Sequence, residues 1–254
     1  MYLRGMIVGA HVPSEDPLGH AEAVGAQCVQ LFVGPPQSWK KPPPLPDAEQ
    51  IRESSLPVYV HAPYLINVAS PNNRVRIPSR KILAQTIERS EEIAAAGIIV
   101  HAGHAEDGIP RGFMRWRKVF EELETDIPIL IENTAGGENA MGRKVEVLAE
   151  LWENLADFDV GFCFDTCHAH AAGEELVDVV ERVRKATGRI DLVHANSSKD
   201  PAGSGRDRHC NFADGELDQE ILFAMVEASG APAVICETPW DGIAADVAWL
   251  RDQL

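Results

Sequence analysis

The chain reads as an α/β protein of the (β/α)8 barrel class, a single domain over residues 1–254 with its functional site at the carboxyl mouth. Three observations predict this. Eight short apolar, β-branched runs recur along the 254 residues. Helical stretches separate most of them. Six consecutive runs, the third to the eighth, end on a residue type that binds metal. Near-continuous apolar strands suit a parallel sheet buried on both faces, and alternation of β with α closes such a sheet into a barrel. A doubly wound sheet is the rival architecture.

In order, the runs are MIVGA (6–10), CVQLFV (28–33), PVYVH (57–61), GIIVH (97–101), PILIE (128–132), VGFCFD (160–165), IDLVH (190–194) and AVICE (233–237). The first is preceded only by MYLRG, without the apolar core and small-residue cleavage site of a signal peptide. After the second comes KKPPPLP (40–46), which reads as a stiff loop between strand and helix. Helices are predicted over residues 80–97, 111–124, 143–156, 173–188 and 217–230. No linker or shift of composition divides the chain, and the length suits one large α/β domain.

Composition narrows the class. Apolar residues make up 45% of the chain, as expected of a globular protein. No run of 18 apolar residues is present, so no membrane span is expected. Five scattered cysteines read as buried, reduced thiols in a cytoplasmic protein. The net charge of −16 taken alone disfavours a nucleic-acid partner, unless some carboxylates hold cations.

The strand ends carry the chemistry. His61, His101, Glu132, Asp165, His194 and Glu237 close the third to eighth strands. A lone His or Glu in such a place is usually structural. Six in consecutive strands of a barrel would converge on one mouth, where unpaired polar groups are costly and a metal satisfies them together. The loops add His168, then Asp207 and His209 two residues apart. Five histidines and four carboxylates suit Zn2+, Mn2+ or Fe2+ better than Mg2+. Nine donors are too many for one ion; three ions, with one carboxylate shared, are a natural count.

The segments VHAPYLINVASPN, VHAGH, IENTAGG, DTCHAHAAG, VHANSSKD, SGRDRH and ICETP, in this order, resemble the motifs of the endonuclease IV family of zinc-dependent apurinic/apyrimidinic endonucleases. The resemblance runs from GAHV near residue 9 to the C-terminus and implies a xylose-isomerase-like TIM barrel. It implies that His61, His101 and Glu132 hold a first metal. Glu132, as the catalytic bridging residue, shares a second with Asp165, His194 and Glu237, and His168, Asp207 and His209 hold a third. On this reading Asp165 and His168 serve different metals, with His168 on a turn after the sixth strand and reaching outward. Three Zn2+ are implied, with Mn2+ or Fe2+ able to replace one. The implied substrate is double-stranded DNA, cut 5′ to an abasic site or trimmed at blocked 3′ ends by a cytoplasmic monomer acting at the nucleoid. Tyr64 and Leu65 match the family's minor-groove wedge. Arg74, Arg206 and Arg208 are candidate phosphate contacts, with Lys40, Lys41, Arg76, Arg80 and Lys199 as further cations.

Three positions depart from the family pattern. Gln37 stands where an arginine is frequent, implying a weaker stacking plug. Ser197 replaces an aspartate and puts one contact near the metals or DNA in doubt, and Cys210 replaces a histidine as a potentially DNA-facing, oxidation-sensitive thiol. His11 is a candidate for orienting a ligand, whereas His104 and His170 match no ligand position. Two rivals stand beside this reading. One is a single-metal sugar isomerase or epimerase using Glu132, Asp165, His194 and Glu237 alone. The other is a non-catalytic lesion-binding protein.

Overall fold

Alternation of inward and outward side chains along each strand sets the position of every functional group. The computed structural model describes residues 5–254. Its barrel strands are β1 (Ile7–His11), β2 (Val29–Leu31), β3 (Val58–His61), β4 (Gly97–His101), β5 (Ile129–Glu132), β6 (Gly161–Asp165), β7 (Leu192–Ala195) and, after two short strands β8 (Ser197–Ser198) and β9 (His209–Cys210), β10 (Ala233–Cys236). They close a barrel in chain order, with β10 pairing back to β1 and every neighbour parallel. The expected barrel is therefore present, and the doubly wound sheet is not. Cys28, Tyr59, Ile99, Leu130, Cys163, Leu192 and Ile235 fill its interior as one apolar cluster. Their neighbours Val29, Val60, Ile98, Ile131, Phe162, Val193 and Val234 point the other way, into the core shared with the helices. A step of two residues from the inner set reaches Gln30, His61, His101, Glu132, Asp165, His194 and Glu237, so all seven crown the barrel at its carboxyl end.

The outer layer comprises α1 (Pro17–Val24), α2 (Ala48–Glu53), α3 (Asn73–Glu92), α4 (Ile109–Glu122), α5 (Val145–Asn154), α6 (Thr166–Ala172), α7 (Val179–Thr187), α8 (Gln219–Ser229) and α9 (Trp240–Gln253). The helix expected over 80–97 starts earlier, where the Asn72 side chain accepts from the Arg74 N–H as an N-cap. The one expected over 173–188 starts only at Val179, because Gly173 adopts φ 70° and ends α6. Residues 40–46 form the expected loop between β2 and α2. All five cysteines are free and buried, so Cys210 does not face outward as expected. It pairs with Ser197 in the β8–β9 hairpin, which turns its side chain into the protein. Among the described residues no helix is long and apolar enough to cross a membrane.

Candidate metal centre

Glu132 stands fully buried at the centre of the mouth, and its two oxygens face different groups. Oε2 lies 3.3 Å from His61 Nε2 and 3.2 Å from His101 Nε2. Oε1 lies 2.9 Å from His194 Nδ1 and 3.4 Å from His168 Nδ1. Burial works against the Glu132 carboxylate, yet His194 and His101 hold it ionised well below the usual range. His61, His101 and Glu132 can converge donor atoms within 4.8 Å of one another, and so can Glu132, Asp165, His194 and Glu237. A third group is Asp165, His168 and His209. Asp207 joins it through Oδ1, 3.2 Å from Nε2 of both histidines. Asp165 thus stands at the edge of two groups, its Oδ2 3.6 Å from His209 Nε2, where the sequence suggested only one.

Neighbouring acceptors dictate which ring nitrogen faces the centre. His61 Nδ1–H donates to the Ala62 carbonyl at 2.7 Å and His168 Nδ1–H to the Asn133 carbonyl at 2.8 Å, leaving Nε2 of each turned inward. His168 does not sit on an outward turn. Asp165 caps the short helix α6, its Oδ1 accepting the His168 N–H at 2.6 Å, and that first turn buries the ring. Asn133 brackets Asp165 by accepting its N–H at 2.7 Å and donating to its carbonyl at 2.9 Å. Asn196 donates to Asp165 Oδ2 at 2.8 Å and to Glu237 Oε2 at 3.1 Å. Asn133, Asn196 and Gln30 carry no metal-binding residue type and do not stand out in the sequence. The one signal is at Gln30, a lone polar residue on the inward parity of an apolar strand.

The charge arrangement fits cations. Nε2 of His168 and of His209 is buried and makes no hydrogen bond, although Asp207 lies beside both. Burial raises the Asp165 carboxyl, partly relieved by His168 and His209, and the crowding of Glu132 and Glu237 raises it further. Burial likewise opposes charge on His194 and His209, but the surrounding carboxylates hold both imidazoliums up at about 9. For His11 burial wins, lowering it to about 4 despite Glu237. Cys163 lies beneath Glu132 and His194 in the barrel interior, where burial keeps it a thiol.

Around the mouth, Tyr64 is half exposed and leans its ring on Phe32, His61 and His101 at centroid distances of 5.1, 5.2 and 5.7 Å. Leu65 is partly buried and lines, with Tyr64, His101, His168 and Asp207, a cavity of about 440 Å3. Gln37 and Arg74 are exposed. Arg206 and Arg208 both bind the buried Asp200, Arg208 through Nε at 2.6 Å. Arg76 donates to the carbonyls of Ser70 and Pro71, Arg80 pairs with Glu122 at 3.0 Å, and Lys41 pairs with Glu88 at 2.8 Å. Lys40 and Lys199 are exposed. Ser197 is buried and donates to the Leu217 carbonyl at 3.0 Å, so it serves the hairpin and not the surface. His170 is buried against the Asp200 carbonyl at 3.1 Å, while His104 is exposed beside Glu106.

A closed parallel barrel crowned by imidazoles and carboxylates defines a xylose isomerase-like TIM barrel, and the AP endonuclease 2 family model of that description matches residues 18–253. The chain belongs to the endonuclease IV family. It is 55% identical over 251 residues to the "Probable endonuclease 4" of Mycobacterium marinum, covering 98% of this chain and 99% of that one. The protein of the same name from Mycobacterium tuberculosis is 55% identical over 250 residues, with the same coverage. The crystal structure of endonuclease IV from Thermus thermophilus superimposes with a TM-score of 0.84 at 28% identity, over 97% of this chain and 98% of that one. A D-tagatose 3-epimerase-like protein shares the fold alone, with a TM-score of 0.75 at 20% identity and coverage of 98% and 96%.

Proposed function

We propose that the chain is a DNA repair endonuclease that hydrolyses the phosphodiester 5′ to an abasic site in double-stranded DNA, leaving a 3′-hydroxyl and a 5′-deoxyribose phosphate, and that trims blocked 3′ ends. The observation that carries it is the gathering of nine candidate donors at one mouth, in groups two of which share the buried Glu132, in a chain of the endonuclease IV family. His61, His101 and Glu132 would hold one zinc ion. Glu132, Asp165, His194 and Glu237 would hold a second, and His168, Asp207 and His209 a third, with manganese or iron able to replace one. Bound together, such ions lower the pKa of water toward ~7 and neutralise the attacked phosphate and its leaving oxygen.

The residues do the rest. Glu132 offers one oxygen to each of two groups, which fixes their separation. The carbonyls of Ala62 and Asn133 engage Nδ1 of His61 and His168, so Nε2 is the nitrogen each ring turns inward. Six positive charges on three divalent ions exceed the negative charges of Glu132, Asp165, Asp207 and Glu237, so the mouth of an acidic protein becomes attractive to phosphate. Tyr64 and Leu65 stand at the rim of the cavity beside His101, as a wedge into the base stack requires. Arg74, Arg206 and Arg208 would serve as phosphate contacts, and Gln37 would take the place of a plug. We take the chain to act as a monomer at the nucleoid.

The test combines elemental analysis of the reconstituted protein with cleavage of a duplex bearing one tetrahydrofuran abasic analogue. Close to three transition-metal ions per chain and a single nick 5′ to the analogue are expected. Glu132, Asp165, His194 and Glu237 would by themselves suit a one-metal sugar isomerase. That reading leaves the other five donors without a task, and one ion per chain with no nicking would favour it.

A further inference from the structure

Gln30 ties the second group of donors together from behind. It is fully buried on β2 beside His11. Its Nε2 lies 2.6 Å from Glu237 Oε1 and 3.0 Å from His11 Nδ1, and its Oε1 lies 2.8 Å from His194 Nε2. The orientation of the carboxamide follows from chemistry. A carboxylate only accepts, so the face toward Glu237 must be the NH2. Turning the amide over would set its oxygen 2.6 Å from a carboxylate oxygen, at full electrostatic cost.

The rest of the network then has one solution. Gln30 Oε1 is purely an acceptor, so His194 must keep a proton on Nε2, and the proton it gives up to a metal is the one on Nδ1. Its other nitrogen, Nδ1, is the one 2.9 Å from Glu132 Oε1 and 3.2 Å from Glu237 Oε2. The second N–H of Gln30 goes to His11 Nδ1, which must accept it, so the His11 proton sits on Nε2. His61 and His168 are oriented by backbone carbonyls, which no substitution removes. His194 is oriented by a side chain, and that side chain also holds the carboxylate beside it.

We propose that Gln30 is a positioning residue: it commits Nδ1 of His194 to the metal, holds Glu237 next to it, and fixes the proton of His11 on Nε2. His11 lines a cavity of about 900 Å3 next to Glu237, together with Phe32 and Trp240. Gln30 therefore links the geometry of the second metal group to the hydrogen-bonding character of that cavity's wall. This inference rests on the metal reading of the site given above.

Two measurements test it. In the zinc-loaded wild-type protein labelled with 15N-histidine, long-range 15N–1H correlations should show His194 with a protonated Nε2 and a zinc-bound Nδ1, and His11 protonated on Nε2. In Gln30→Met, which keeps the volume and removes all three hydrogen bonds, competition against a chromophoric chelator should find one zinc step ~10–100-fold weaker and the other steps unchanged. The His11 ring should then sample both tautomers. Zinc bound through Nε2 of His194 would overturn the proposal, as would zinc steps in Gln30→Met all within twofold of the parent. The wild-type spectrum decides the matter even if the variant does not fold. A wild-type chain that takes up no zinc would overturn the metal reading itself, whereas zinc held on Nδ1 with affinities indifferent to Gln30 would overturn this inference alone.

Discussion

Glu132 and Leu65 sit 67 positions apart in sequence and at one mouth in space, and substitutions separate their tasks. Glu132→Gln keeps the shape and removes the charge that faces four imidazoles. Cleavage should be abolished while abasic-duplex binding survives; turnover within about tenfold of the parent, a barrier change of only about 1.4 kcal/mol, would show that Glu132 does not join two groups. Leu65 is only partly buried, so burial in the free protein contributes little. Leu65→Ala should weaken binding to an abasic duplex by ~1–3 kcal/mol, the scale of one packed apolar side chain, with melting temperature and metal content nearly unchanged. A core residue would instead lose ~2–5 kcal/mol of fold stability on the same change. Calorimetry and duplex affinity on one preparation distinguish the two.

A loop places Asp207 of the third group, and glycines let it touch the loop after β5. A Cβ on Gly136, in the loop after β5, would lie 2.1 Å from the Gly205 carbonyl oxygen. Gly205 itself has φ 69° and stands two residues before Asp207. Backbone meets backbone there, so no side chain can swing aside. Gly136→Ala should push the 203–208 loop outward and lower zinc content by about one ion per chain, sparing the ions nearest Glu132. Full zinc content in that variant, measured after dialysis, would show that Asp207 is not needed to hold metal. Elsewhere the elements were partly legible. Strands β3 to β7 and β10 are visible as near-continuous apolar runs that end on a metal-binding residue type. Helix α6 is not, since TCHAHAA is too short to display a period, and its start depends on a cap that is itself a ligand candidate.

At the scale of the whole molecule, metal and proton compete for one site. In the metal-free protein His194 and His209 are raised from 6.5 to about 9, and His168 is raised well above 6.5. Raised histidine values mean stability that is fully present below pH 6.5 and is lost as pH climbs through about 9. Denaturant unfolding of chelator-stripped protein should therefore show falling stability between those limits. Ligands must be neutral imidazoles, so zinc loading near pH 7.5 should release about three protons per chain, seen as a buffer-dependent binding enthalpy. A heat independent of buffer ionisation would mean the rings are already neutral. With metal bound, the pH trend should reverse at the acid end, where protons displace zinc.

The barrel was legible in the chain, because eight near-continuous apolar runs alternating with helical stretches bury both faces of a parallel sheet. Six of the nine candidate donors were legible as well, because residue type at a strand end is written in the chain, while His168, Asp207 and His209 stood outside the barrel strands. The sequence could not reveal which donors share a group. Asp165 stands between two groups because α6 begins on it, and Asp207 reaches the third only because two loops close on paired glycines. Nor did it single out Gln30, Asn133 and Asn196, since a buried amide looks like any polar residue until its partners are known. Those partners lie up to 207 positions away, as for Gln30 and Glu237. Hydrogen bonding acts through a few ångströms of space, and only closing the barrel brings β2 within that distance of β7 and β10.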